Sequence, residues 1–352
     1  MATFTKKSLK EAAMTILPRL FTLLLLAAYL LYVGFVIQHD QGPVDYETFM
    51  QIGTRFLRGQ EVYGENSYYP LPFVMIFAGF AALPRPASMA VWLLLPVAMA
   101  WWISGWKPWV LLFAPLIAHF FGGQTAVFGM IGLWGYRQRQ ETDHFGGGVW
   151  LALTLIKPQL GILPLSWAAT RWWKAFRDTG RISRQFLGWM AAIIVIYGAS
   201  FLADPGWLSK WLSHPRPLFE RALAGLVPRG LVMLGIHGWA YWGLWMIVTL
   251  LSFFWILKYV QRKVDLDLLT LWYFCVSPLV HDYDLIQVIP LLNSRRLQWG
   301  AVMLGIPTLL VILFAYGIDQ AWVVVTIIAP GLLILKLKEG AYSTPSLKTQ
   351  SG

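Results

Sequence analysis

Charge is scarce in this sequence. Of 352 residues, 13% are Asp, Glu, Lys or Arg, about half the usual share of a soluble domain. Apolar residues make up 57% of the chain and the mean hydropathy is +0.57. So few charges cannot wet the surface of a water-soluble globule of this size. Cysteine is all but missing. Cys275 stands alone in an apolar stretch, which excludes an intrachain disulfide and suits a small buried hydrophobe. The six histidines fall in separate segments without metal-ligand spacing. HExxH, Walker, GxGxxG and Gly-x-Ser-x-Gly patterns are also missing, so zinc hydrolysis, P-loop, dinucleotide and serine-elbow chemistry find no footing. No internal repeat, low-complexity tract or soluble domain is visible.

What the chain has is apolar length. Runs such as 16–37, 186–202 and 299–318 can each cross a hydrocarbon core of roughly 30 Å as a helix. The expected fold is all-α: a polytopic transmembrane helical bundle of about 10–12 membrane segments, some of them short, broken or re-entrant. Residues 1–340 read as one integral-membrane unit, and 341–352 as a polar tail. The net charge of +11 comes from Lys and Arg in short interhelical loops and marks the cytoplasmic side. No contiguous basic face is present, so no nucleic-acid partner is expected. Lys6, Lys7 and Lys10 precede the first apolar run, which lacks a small-x-small cleavage site and reads as a retained span with a cytoplasmic N-terminus.

From that start, span one (about 17–37) leads to an outer segment, 38–69, and span two (70–83) returns to a cytoplasmic Pro84-Arg85-Pro86 turn. Span three (87–104) goes out again. The stretch 108–136, apolar except for Gly122-Gly123-Gln124, is too long for one straight crossing and is expected to break at its glycines. Spans at 186–202, 238–258, 297–317 and 320–335 follow, with a second outer loop at 203–230, and the C-terminus lies inside. Many of the 20 tryptophans, among them Trp101, Trp102, Trp172, Trp173, Trp207 and Trp211, sit at span ends and fit interfacial belts.

Two blocks break the parity of crossings. Residues 149–170 and 266–292 each lie between two basic loops, so each demands an even number of crossings within too short a length. Each is expected to be a hairpin entering from the inner side. One tip carries Lys157-Pro158, and the other carries Ser277-Pro278 with His281, Asp282 and Asp284. Polar irregular backbone at membrane depth survives only around a protein-lined or water-filled cavity, so two such tips imply one shared cavity.

The candidate site residues follow from these breaks. Asp45 opens an amphipathic helix whose apolar positions Tyr46, Phe49, Met50, Ile52, Phe56 and Leu57 would lie along the membrane surface. Its carboxylate suits the helix dipole, and a plain N-cap is the competing role. Lys157 has no acid near it in sequence, so it either snorkels to a headgroup or holds an anion such as a phosphate. His281, Asp282 and Asp284 cluster at the second tip and raise the same choice.

With these residues placed, the sequence resembles the GT87 family of the GT-C superfamily of polyprenyl-phosphate-dependent glycosyltransferases. Four motifs carry the likeness in order over about 38–292. They are Asp45-Tyr46 with Gly59, Tyr63 and Tyr69-Pro70; Gly123-Gln124; Ile156-Lys157-Pro158 followed by Arg171-Trp172-Trp173-Lys174; and Ser277-Pro278 with His281. Leu279-Val280 departs from the aromatic that the family pattern places before that histidine, and the chain is short for the family.

The resemblance implies an inverting transfer of a mannose-like hexose or a pentose on the outer face of the bacterial plasma membrane. The sugar comes from a polyprenyl-phosphate donor, which is a co-substrate, and goes to a glycolipid or glycan acceptor, with membrane lipids around and no cofactor or metal. Asp45 would be the general base, Asp40 and Glu47 being the other acids nearby. Lys157 would stabilise the phosphate with His281 as partner, and Gln124, Tyr69, Asp282 and Asp284 would position sugar hydroxyls or the helix tips. A transporter or flippase of lipid-linked sugars, and a non-catalytic assembly subunit, are the competing classes.

Overall fold

The computed structural model describes residues 6–64, 67–214, 225–259, 264–314 and 326–342, and every regular element among them is helical. The order is α1 (Lys6–Gln38), α2 (Val44–Leu57), α3 (Leu71–Ala81), α4 (Arg85–Ile103), a 3-10 turn (Pro108–Leu112), α5 (Ala114–Gly122), α6 (Val127–Arg137), α7 (Phe145–Thr154) and α8 (Pro158–Thr179). Then come α9 (Arg184–Ala203), α10 (Trp207–Ser213), α11 (Leu226–Met233), α12 (Gly238–Tyr259), α13 (Leu266–Val276), a 3-10 helix (Asp282–Leu291), α14 (Arg295–Phe314) and α15 (Ile328–Tyr342). Four stretches, Arg19–Gln38, Arg85–Ile103, Arg184–Ala203 and Gly238–Tyr259, are long and apolar enough to cross a membrane. Parts of the second outer loop, the turn between the last two spans and most of the polar tail lie outside the described residues.

Both parity-breaking blocks fold back on themselves. In the first, α7 leaves the basic loop, the chain breaks at 155–157, and α8 returns. Arg171 near its far end donates to the Gln140 carbonyl at 2.9 Å and pairs with Glu141 at 3.0 Å, which brings the two basic loops to the same end. In the second, α13 ends at Val276 and the 3-10 helix runs back from Asp282. Its foot is tied down by a two-pronged bond from Arg137 to Asp267 (2.7 and 2.8 Å), with Lys336 of α15 adding a third contact at 3.4 Å. The expected break in 108–136 is there too. Gly123 closes α5 in the left-handed region (φ 66°), and a Cβ there would meet the Tyr46 Cβ at 2.9 Å, so glycine also lets α2 approach.

The topology of the first third differs from the expectation. α3 has only 11 residues, about 16 Å of helix, and lies antiparallel on α2, with the Gly53 backbone against Phe77. The chain therefore returns to where α2 began. Arg85 binds Asp40 and holds both oxygens of Glu47 at 2.6 and 2.9 Å. Arg85 thus shares an end with the acidic segment and is not on the opposite side, and α4, not α3, has the length and apolarity expected of span two. A charge-parity rule counts Arg85 as a loop cation. It cannot see that two carboxylates neutralise it.

The α2 surface also behaves differently. Tyr46, Phe49, Met50 and Ile52 are buried, Phe49 stacking on Phe77 at 4.5 Å and leaning on Trp92, while Leu57 is exposed. The apolar face meets protein and not a lipid surface. Of the six tryptophans assigned to interfacial belts, Trp172 and Trp207 are buried among helices. Aromatic belts and buried aromatic anchors share one sequence signal, because both place Trp near helix ends.

Candidate functional site

Three helix breaks and the start of α2 converge at one place. Pro43 occupies the N-cap of α2, which leaves Asp45 one residue inside the helix with its carboxylate free of capping duty. That carboxylate accepts from the Gln124 side-chain amide, and Gln124 follows Gly123 in the break between α5 and α6. The break is pinned from the other side by the Trp92 indole, which donates to the Gly123 carbonyl at 2.7 Å. Of the two roles open to Asp45 in the sequence, the N-cap is excluded.

Lys157 occupies the N-cap position of α8 and is 2% exposed. The acid it lacks in sequence is supplied in space. Its ammonium pairs with Asp284, whose side chain is fully buried, and lies 4.5 Å from the centroid of the Tyr283 ring. Snorkelling is therefore excluded. The two hairpin tips are also joined through backbone. Tyr273 donates to the Gln159 carbonyl at 2.7 Å and Gln287 to the Leu160 carbonyl at 2.9 Å. Asp284 does a second job by accepting from the His281 backbone N–H at 3.0 Å, which fixes the start of the 3-10 helix. The His281 ring stacks flat on Tyr283 at 5.3 Å, with Nδ1 3.6 Å from Asp284.

Electrostatics tie Asp45 to both tips. Burial pushes its carboxyl above the usual carboxylate range, and the charges of Lys157 and His281 pull it partly back. Tyr69 packs between Phe49, Phe73 and Phe77 and feels Asp45 and Asp284. Asp282 is within electrostatic reach of Asp45 and Lys157, and its Oδ1 is buried without a partner. All seven sequence-nominated residues, Asp45, Tyr69, Gln124, Lys157, His281, Asp282 and Asp284, thus belong to one neighbourhood. Asp40 and Glu47 do not join it, because Arg85 holds both.

Two neighbours have no assigned role in the sequence reading, Tyr283 being only a member of the second tip. Tyr283 bridges the His281 ring and the Lys157 ammonium. His119, 1% exposed, sits one turn before the α5 break in the field of Lys157 and Asp284. A signal for His119 existed, since an ionisable side chain inside the apolar run 108–136 is expensive and marks a site by default. No family model, no curated protein and no solved structure matches this chain, so the likeness in the four motifs rests on the motifs alone.

Proposed function

We propose that the chain is a polytopic membrane glycosyltransferase with both termini on the cytoplasmic side of a bacterial plasma membrane and its site facing outward. It would transfer a hexose or pentose from a polyprenyl-phosphate donor to an acceptor hydroxyl. The observation that carries this reading is the meeting of an acid, an amide, an amine and an imidazole (Asp45, Gln124, Lys157 and His281) from four separate stretches of chain. The reading of a membrane bundle is supported by α9 and α12, which are apolar around their whole circumference and largely unburied, as lipid-facing helices are.

In the proposed step, the acceptor oxygen attacks the anomeric carbon from the face opposite the phosphate, the carbon–phosphate oxygen bond breaks, and Asp45 takes the hydroxyl proton. Polyprenyl phosphate leaves with the bonding pair. A base is most effective with a pKa near the working pH, and the burial that raises Asp45 moves it in that direction. Lys157 has three N–H donors, of which Asp284 occupies one, leaving donors for a phosphate oxygen. Its position at the N-terminus of α8 adds the positive end of a helix dipole to the ammonium charge. No cofactor is required, because the donor's phosphate is already a competent leaving group.

The test is transfer by the purified full-length protein with a panel of polyprenyl-phosphate hexoses and pentoses, the product linkage read by NMR. A new glycosidic bond from at least one donor is expected. Movement of labelled lipid across liposomes with no transfer to any acceptor would instead establish the transporter reading, which the buried Lys157–Asp284 pair between broken helices also suits.

A further inference from the structure

Most buried polar atoms in a folded protein have hydrogen-bond partners, and exceptions that cluster call for a reason. Among the described residues such atoms are spread through the molecule, and four of them lie beside the reacting groups. Both ring nitrogens of His119, Oε1 of Gln124 and Oδ1 of Asp282 are buried without a partner in the structure. They belong to one neighbourhood. The His119 carbonyl accepts from the Gln124 backbone N–H at 3.1 Å, Gln124 binds Asp45, and Asp282 lies in the field of Asp45 and Lys157. Thr125, next along the break, adjoins the Tyr69 phenol.

The chemistry of the unmet atoms is specific. Gln124 Oε1 can only accept, and Asp282 Oδ1 accepts whenever its carboxyl is ionised. A neutral imidazole presents one donor and one acceptor, and His119 is shut away from water. A wall with two acceptors and one amphoteric group matches neighbouring hydroxyls, each of which both donates and accepts. It matches neither a bare phosphate, whose oxygens also accept and would leave Gln124 Oε1 unmet, nor an apolar chain.

The geometry points to His119, Gln124 and Asp282 as a hydroxyl-reading subsite for the sugar ring, with His119 a specificity-determining residue that contacts substrate. This deepens the transferase reading and rests on it for the identity of the ligand as a lipid-linked sugar. The start of α2 closes on the α5–α6 break in this structure, where Gln124 holds Asp45 and Gly123 abuts Tyr46, and a ring would enter by parting the two.

Binding to the full-length protein in nanodiscs tests this, with a short-chain polyprenyl-phosphate mannose, its singly deoxygenated analogues and the bare short-chain polyprenyl phosphate as probes. Wild type should prefer the sugar-bearing lipid over the bare phosphate by about tenfold or more and lose about that factor for at least one deoxy analogue. His119→Phe should abolish both preferences while leaving affinity for the bare phosphate unchanged, and His119→Gln, which keeps a donor and an acceptor, should retain part of them. Equal binding of sugar-bearing and bare lipid by wild type overturns the subsite without any variant having to fold. So does a His119→Phe protein that keeps its deoxy discrimination. Transfer followed in the same samples separates the two ideas, because sugar discrimination without turnover sinks the transferase and leaves the subsite standing.

Discussion

Two ion-paired clusters flank the start of α2, and they differ in almost everything except charge. Lys157 with Asp284 is shut away from solvent, with side-chain exposures of 3% and 0%. Arg85 with Asp40 and Glu47 stands in the open at 40%, 77% and 28%. A buried pair is a poor source of net stability but ruinous to break, because the remaining charge has no water to turn to. An exposed pair contributes little and is easily replaced by solvent. The inner pair therefore fixes where two helix tips meet, and the outer cluster tethers α2 and occupies the acids that could compete with Asp45. Between them lies the one acid of the three that faces the tips.

The sharpest way to break this contrast is at the acids. Asp45→Asn should lower transfer by about 10²–10⁴-fold, the usual range for a lost general base, with cooperative thermal unfolding in detergent retained. Asp40→Asn and Glu47→Gln should each leave transfer within a few-fold of wild type. If either of those two abolished transfer while Asp45→Asn did not, the base would belong to the outer cluster and the division of labour would be reversed.

The inner pair comes next. Lys157→Met alone strands a buried Asp284 and should cost about 3–5 kcal/mol, whereas Lys157→Met with Asp284→Asn, which keeps an acceptor for the His281 N–H, should regain most of that while donor binding stays lost. Denaturant unfolding of the two variants separates these outcomes. Equal destabilisation by the single and the double variant would mean that the tips are held by their backbone contacts, Tyr273 to Gln159 and Gln287 to Leu160, and not by charge.

How much of this was readable beforehand depended on which signal each feature leaves in sequence. Both hairpins were legible because a block of fixed length between two basic loops is a counting constraint, and counting survives ignorance of packing. The break at Gly123 was legible because glycine pairs interrupt helices. The pairing of Lys157 with Asp284 was not, since 127 positions separate them and nothing in either segment names the other. The fate of Arg85 was misread for a related reason, as a loop cation and an ion-paired cation look identical until Asp40 and Glu47 arrive from elsewhere. His119 does leave a signal, a single charge-capable ring among apolar neighbours, but nothing in that run names the groups it faces.

The inner cluster should also set the pH response. As the proposed base Asp45 would work only when ionised, and burial lifts its carboxyl above the usual carboxylate range, so transfer should rise with pH through a limb higher than an exposed aspartate would give. Lys157 pulls that value down, so replacing it should move the limb to still higher pH in whatever activity survives. Stability carries the opposite sign. The folded chain holds the Asp45 proton more tightly than the unfolded chain, so the contribution of this group is largest at low pH and is lost as pH rises through its folded value. Asp45→Asn should flatten both slopes. A pH limb unaffected by Lys157→Met would detach the amine from the acid.

The smallest effect is expected at the outer cluster. Arg85→Gln should cost no more than about 1 kcal/mol, because all three side chains can be rehydrated. Stability is not the informative readout here. Glu47 also accepts from the Gly42 backbone N–H at 2.8 Å, so the linker from α1 into α2 keeps one tether when Arg85 is removed. Asp45 sits on the same first turn of α2, and its hold on Gln124 depends on where that turn rests against Gly123. Arg85→Gln should therefore lower kcat by a few-fold with KM little changed, and Arg85→Lys, which restores the charge but not the two-pronged grip on Glu47, should recover only part of it. Full activity in Arg85→Gln would show that the helix packing of Tyr46, Phe49 and Ile52 alone aims the acid, and that the exposed cluster does nothing beyond keeping its two carboxylates occupied.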